Sequence, residues 1–92
     1  MNIKDYEVFI CEKNFEILPQ KRKELGEYLK EKREGNNFSI TYLTDLTGIP
    51  SSDLMKLENG TESIINPFKL KKIAKVLNLD YIDLYKKIGY LD

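Results

Sequence analysis

The sequence predicts an all-α fold, with five helices in one domain and a short extra segment ahead of them. Three observations carry this. The only prolines, Pro19, Pro50 and Pro67, each stand where a helix can begin, because the N–H that proline lacks would be unpaired at the first helical position anyway. Gly35, Gly48, Gly60 and Gly89 fall where those helices would stop. Between starts and stops, apolar residues recur at three- and four-residue spacing, as in Leu70, Ile73, Ala74 and Leu77.

The first predicted helix, "PQKRKELGEYLKEKREG" over 19–35, is highly charged. It turns Leu25, Tyr28, Leu29 and the stem of Lys32 inward, and Gly35 is expected to supply a left-handed stop. Ser39 caps a second helix, with Leu43 and Leu46 pointing inward and Gly48 at its end. Ile49 anchors the turn into a third helix, from about Pro50 to Glu58, which buries Leu54 and Leu57 and closes at Asn59-Gly60. After the loop "TESII", Asn66-Pro67 opens the fourth helix. Asp80 caps the fifth, Asp83 suits its positive N-terminus, and Gly89 ends it. Residues 1–18 form an N-terminal extension to a domain spanning 19–92. Its "YEVFI" alternates like a strand, but a lone strand has nothing here to pair with. Ile3, Tyr6, Ile10 and Phe15 can instead line a helix, so a short additional helix is expected.

Composition narrows the function. Ninety-two residues build one modest core, and 41% apolar with 33% charged residues is ordinary for a folded domain. The absence of histidine removes the commonest general base and the His-dependent nucleophile systems. Cys11 is alone, so neither an internal disulfide nor a thiolate zinc site is expected. With no phosphate-binding glycine loop and no metal-ligand spacing, the chain predicts no enzyme, no cofactor and no metal. No apolar run is long enough to span a membrane and "MNIKDYEVFI" lacks the pattern of a signal peptide, so a cytoplasmic location is expected.

Net charge is zero, but it is unevenly distributed. Residues 36–65 set Lys56 against Asp45, Asp53, Glu58 and Glu62, a balance of −3, while residues 66–79 hold Lys69, Lys71, Lys72 and Lys75 and no acid, a balance of +4. These lysines span two turns and cannot all share one face. Lys69 and Lys72 are the two expected near any phosphate backbone, with Lys71 and Lys75 as solvated surface.

Taken in order, "LGEYLKEKRE", "NFSITYLTDLTGIPSSDLMKLENG" and "LKKIAKVLNLDYIDLY" resemble the Cro/CI/Xre-type helix-turn-helix regulators, the repressors of phages and mobile elements. Ser39, Leu43, Gly48, Ile49, Leu54, Leu57, Glu58 and Gly60 match the family pattern without a gap, across a helix-turn-helix core at 39–60. The resemblance implies a compact five-helix, lambda-repressor-like DNA-binding domain. It also implies a transcriptional repressor that binds a two-fold operator in double-stranded DNA as a homodimer, its third helix in the major groove.

By the same resemblance, Ser51, Ser52, Met55 and Lys56 would meet base edges. Arg33, Ser39, Asn59, Gly60 and Lys69 would meet phosphates, with Arg33 braced by an ion pair to Glu58. Dimer contacts are expected from the apolar tail, Tyr81, Leu84, Tyr85, Ile88, Tyr90 and Leu91, or from the N-terminal Tyr6, Val8, Phe9 and Ile10.

The chain departs from the family pattern at three points. Ile40 replaces the glutamine that opens the family's second helix, the loop Thr61–Ile65 is acidic rather than basic, and Asp53 faces the phosphate side. Asp53 suits the third position of a helix, and Ile65 is expected to close the core. These departures predict weak non-specific binding with a shallow salt dependence. They also sustain an alternative: a helix-turn-helix domain that binds a protein partner, as an antitoxin, antirepressor or phage inhibitor does, with little DNA affinity.

Overall fold

The computed structural model describes residues 2–91 and holds six α-helices: α1 (Ile3–Lys13), α2 (Pro19–Gly35), α3 (Ile40–Thr47), α4 (Ser51–Glu58), α5 (Pro67–Val76) and α6 (Tyr81–Lys87). The N-terminal segment is helical, so the five-helix body carries a sixth helix. None of the described helices is long and apolar enough to cross a membrane.

Local chemistry sets most of the boundaries. Ser39 Oγ accepts the Tyr42 amide, Asn66 Oδ1 the Phe68 amide and Asp80 Oδ1 the Ile82 amide, each satisfying a donor that the first helical turn leaves free. Pro19 and Pro67 occupy first-turn positions. Gly48 (φ 75°) and Gly60 (φ 74°) turn left-handed directly after α3 and just beyond α4. Gly35 does not supply the expected left-handed stop. It is the last residue of α2, and Asn37 (φ 60°) takes that conformation two residues later. Asparagine tolerates it because its short polar side chain can bond locally.

One apolar core runs through all six helices and includes Ile10, Leu25, Leu29, Leu43, Leu54, Leu70, Ile73 and Leu84. Ile17 and Ile65 close it from the two long connections, where the Ile17 amide donates to the Ser63 carbonyl at 2.7 Å. Leu46, expected inside, is exposed, and Thr47 is buried in its place. The Thr47 hydroxyl donates to the Leu43 carbonyl and accepts the Ile49 amide, so its polar atom is satisfied where a leucine would have had none to satisfy.

The expected dimer surface in the tail is largely corrected. Leu84, Tyr85, Ile88 and Tyr90 lie inside the chain's own core, and only Tyr81 and Leu91 keep partial exposure. α6 packs on α5 and α2, and α1, set on α5, reaches Tyr85 and Tyr90. Glu7 of α1 is 0% exposed, and its carboxylate accepts the Tyr85 hydroxyl and, at 3.4 Å, the Lys71 ammonium. Tyr85 Oη also lies 2.9 Å from the Pro67 carbonyl. One helical position away from Glu7, Tyr6 donates to the Tyr90 carbonyl. Lys71 is therefore not solvated surface: it lies 4.5 Å from the Tyr81 ring centroid and reaches the buried carboxylate.

Burial, reinforced by the hydrogen bond to Glu7 and its negative charge, pushes the Tyr85 phenol far above its ordinary value of 10.0. A group raised in the folded state supports folding fully below its unfolded value and loses that support as pH rises beyond it. Denaturant unfolding should therefore show stability falling above pH 10.0, and falling less steeply in Tyr85→Phe. At neutral pH the same substitution should cost about 2 kcal/mol, because a hydrogen bond to a buried carboxylate is lost.

Candidate nucleic-acid interface

α3 and α4 form a tight pair across Gly48, Ile49 and Pro50. Ile49 is buried beneath the turn, and the hydroxyls of Thr44 and Ser51 meet at 3.0 Å across the two helices. Leu54 and Leu57 fix the inner face of α4, which leaves Ser52, Met55 and Lys56 exposed on its outer side. Of the four expected base-facing residues, these three are free. Ser51 is half-buried, with its hydroxyl engaged by Thr44.

The orientation of α4 is set by α2. A Cβ added at Gly26 would strike the backbone carbonyls of Glu58 and Leu57, the latter at 2.7 Å, so the two helices meet here backbone to backbone. Gly60 repeats the close approach against the backbone of Lys23 at 3.0 Å. About two turns along α2, Arg33 Nε and Nη2 donate to Glu58 Oε2 and Oε1 at 2.7 and 3.0 Å. Its Nη1 donates to the Phe38 carbonyl at 2.8 Å. The two side chains are only 12% and 8% exposed, and the fork on Glu58 holds the Arg33 guanidinium above even its usual high value. This is the pairing that the sequence resemblance implied. With all three of these donors engaged inside the chain, Arg33 works first as a brace.

The other expected phosphate contacts differ in what they leave free. Ser39 spends its hydroxyl on capping α3, but among the described residues the Ile40 and Thr41 amides have no partner and stand at the open end of the helix. The amides of Asn59 and Gly60 are already used, donating to the Met55 and Leu57 carbonyls. Lys69 pairs with Asp53 at 3.6 Å, an exposed ion pair worth at most about 1 kcal/mol that a phosphate can displace. Asp53 thus has a cationic partner beyond its helix-start role. Ile40 is half-buried against the core, and Ile65 closes that core as expected, while Ile64 is exposed.

Sequence reasoning missed Gly26, whose helix-interior position gives no sign of a neighbour. It also missed the exposure of Tyr42 and Leu46 on α3.

A short turn anchored by the buried Ile49 and joining two eight-residue helices, the second docked on α2 and open on its outer side, defines a helix-turn-helix domain. Comparison with known proteins agrees. Residues 26–89 match the family model described as a helix-turn-helix domain, and the chain belongs to that family, in its Cro/CI/Xre-type form. It is similar to the HTH-type transcriptional repressor RghR of Bacillus subtilis, with 30% identity over 67 residues covering 73% of this chain and 50% of that protein. It is similar also to the HTH-type transcriptional regulator RghRB of the same organism, with 32% identity over 66 residues covering 72% and 48%. The chain therefore spans about half the length of these curated relatives. Among solved structures it resembles the SinR protein/SinI protein complex, with a TM-score of 0.63 and 25% identity over 74% of this chain and 67% of that one.

Gly26→Ala offers a direct check on the α2–α4 contact. Alanine in a helix interior would ordinarily stabilise by roughly 1 kcal/mol relative to glycine. Here the new methyl meets backbone, which cannot rotate away. Chemical denaturation should show a net loss of about 2 kcal/mol.

Proposed function

We propose that the chain is a sequence-specific DNA-binding transcriptional regulator of the cytoplasm, a repressor that binds a two-fold operator as a homodimer. The carrying observation is the outer side of α4: Ser52, Met55 and Lys56 are exposed together on a helix whose pose is held by Gly26 and the Arg33–Glu58 fork. Set in a major groove, Lys56 donates to guanine acceptors, Ser52 bonds a base edge and Met55 makes apolar contact. The Ile40 and Thr41 amides, at the positive end of α3, face a phosphate, and Lys69 exchanges Asp53 for another. Repression follows from occupancy of the operator and involves no chemistry on the DNA. The repressor named among the relatives supports this reading.

A second reading, a protein partner in place of DNA, draws on the exposed Tyr42, Leu46 and Met55 with Asp53 nearby on α4. It gains from the likeness to a protein solved in complex with another protein.

Selection of random duplexes with the purified protein, at about 0.15 M salt, separates the two. Enrichment of a symmetric motif with half-sites about one helical turn apart is the expected result. Lys56→Ala should then weaken binding to that motif by about 1–3 kcal/mol. No enrichment even at low salt would remove the DNA reading and leave the protein partner.

A further inference from the structure

We infer that the cavity enclosed by α1, α4, α5 and the 61–66 connection is an effector site, and that its ligand is a free amino acid with an apolar side chain. Occupancy draws Lys56 away from DNA, so the inference rests on the operator reading above and gives it a regulator. Its first test contains no DNA, so the two can fail separately.

The cavity holds about 360 Å³, at the small end of the roughly 300–1,000 Å³ range of ligand sites. Its apolar lining is aliphatic: Ile10, Ile49, Leu57 and Ile65 are all buried members of the core. Charged groups share the lining with them. Asp53 and Lys69 pair there at 3.6 Å and offset each other. Lys56 of α4 and Glu62 of the connection line the same cavity, yet neither takes part in an ion pair among the described residues. Glu62 is half-buried, so its carboxylate has given up part of its water without gaining a cation. α1, which contributes Ile10 and Cys11 to the lining, precedes the family match that begins at residue 26. Glu62 belongs to the connection that is acidic where the family's is basic. The cavity is thus a feature of this chain and not of helix-turn-helix domains in general.

Charge selects the ligand. A cation and an anion without partners, beside an aliphatic lining, suit a small molecule that carries both charges and a short apolar body. A free amino acid has that form. Its carboxylate accepts from the Lys56 ammonium, its own ammonium donates to Glu62, and its side chain displaces water from the isoleucines. A simple carboxylate would leave Glu62 without a partner, and a simple amine would leave Lys56 without one. The link to DNA is Lys56 itself. It lies on α4 between Asp53, which lines the cavity, and the exposed outer side that Ser52 and Met55 mark, so its ammonium serves one surface at a time. Lys69, the phosphate contact, lines the same cavity.

Titration of the full chain with L-leucine, and separately with L-phenylalanine, read by backbone amide shifts in the absence of DNA, tests this. At least one of the two should give saturable shifts at Ile10, Ile49 and Ile65, and should slow alkylation of Cys11 on the cavity wall. Its N-acetyl form, which lacks the ammonium, and its amide, which lacks the carboxylate, should each bind about tenfold more weakly or worse. The same loss is expected for the intact amino acid in Glu62→Gln and in Lys56→Gln. On an operator selected as above, the bound amino acid should raise the dissociation constant for DNA several-fold, and its N-acetyl amide should leave it unchanged. No saturable shift with either amino acid up to roughly 10 mM would overturn the inference. So would single-charge analogues that bind as well as the parent, or an amino acid that binds and leaves the operator affinity unchanged. If no operator is found, the titration and its two variants still decide whether the site exists.

Discussion

The contact of α4 on α2 is the constraint around which the rest is arranged. At Gly26 the two backbones touch with no side chain between them, and about two turns further along α2 Arg33 reaches the same end of α4 and grips Glu58 in a two-pronged fork. One grip is steric and the other electrostatic, and both take hold of the last turn of α4, at Leu57 and Glu58. Because Arg33 also holds the Phe38 carbonyl, the start of α3 is tied to the same guanidinium. The helix-turn-helix pair thus takes much of its pose from α2, with α3 packed on α4 and α5; its eight-residue elements would be marginal alone.

The N-terminal helix is held by a different kind of bond. Its central anchor is a carboxylate with no exposure, satisfied by a phenol and an ammonium from two other helices. Partial satisfaction would make such a buried group costly, so the three partners act as a set that admits one docking geometry. A helix fixed in this way holds Ile10 and Cys11 in a constant place on the cavity wall, which an arm attached by apolar contact alone would not do.

Much of this was legible in the sequence because it rests on local chemistry. Ser39, Asn66 and Asp80 cap the helices that their neighbours predicted, and Gly48 and Gly60 turn left-handed where a stop was expected. The Arg33–Glu58 pair came from the resemblance to a known pattern. What escaped depends on which surface meets which. Nothing near Gly26 in the chain announces the carbonyls of residues 57 and 58. The tail tyrosines read as surplus apolar surface because their cover, α1, lies more than seventy residues away in sequence. Lys71 read as a solvated lysine for the same reason, its buried partner Glu7 being 64 positions distant. Leu46 and Thr47 exchanged places because one residue of rotation decides which side of a two-turn helix faces inward.

The phenol of Tyr90 donates to the Ile65 carbonyl at 2.7 Å and accepts the Ile65 amide at 3.2 Å, while the Tyr90 carbonyl accepts from Tyr6. One residue near the end of the chain thus ties the first helix to the loop between α4 and α5. Fraying, which ordinarily starts independently at the two ends of a small domain, is here a joint event. If the tail lifts, α1 and the 61–66 connection lose a fastening together, and if α1 lifts, the tail loses its cover. Exchange of backbone amides in these three segments is thereby bound to a common opening, and the domain behaves as a closed ring though its chain is linear.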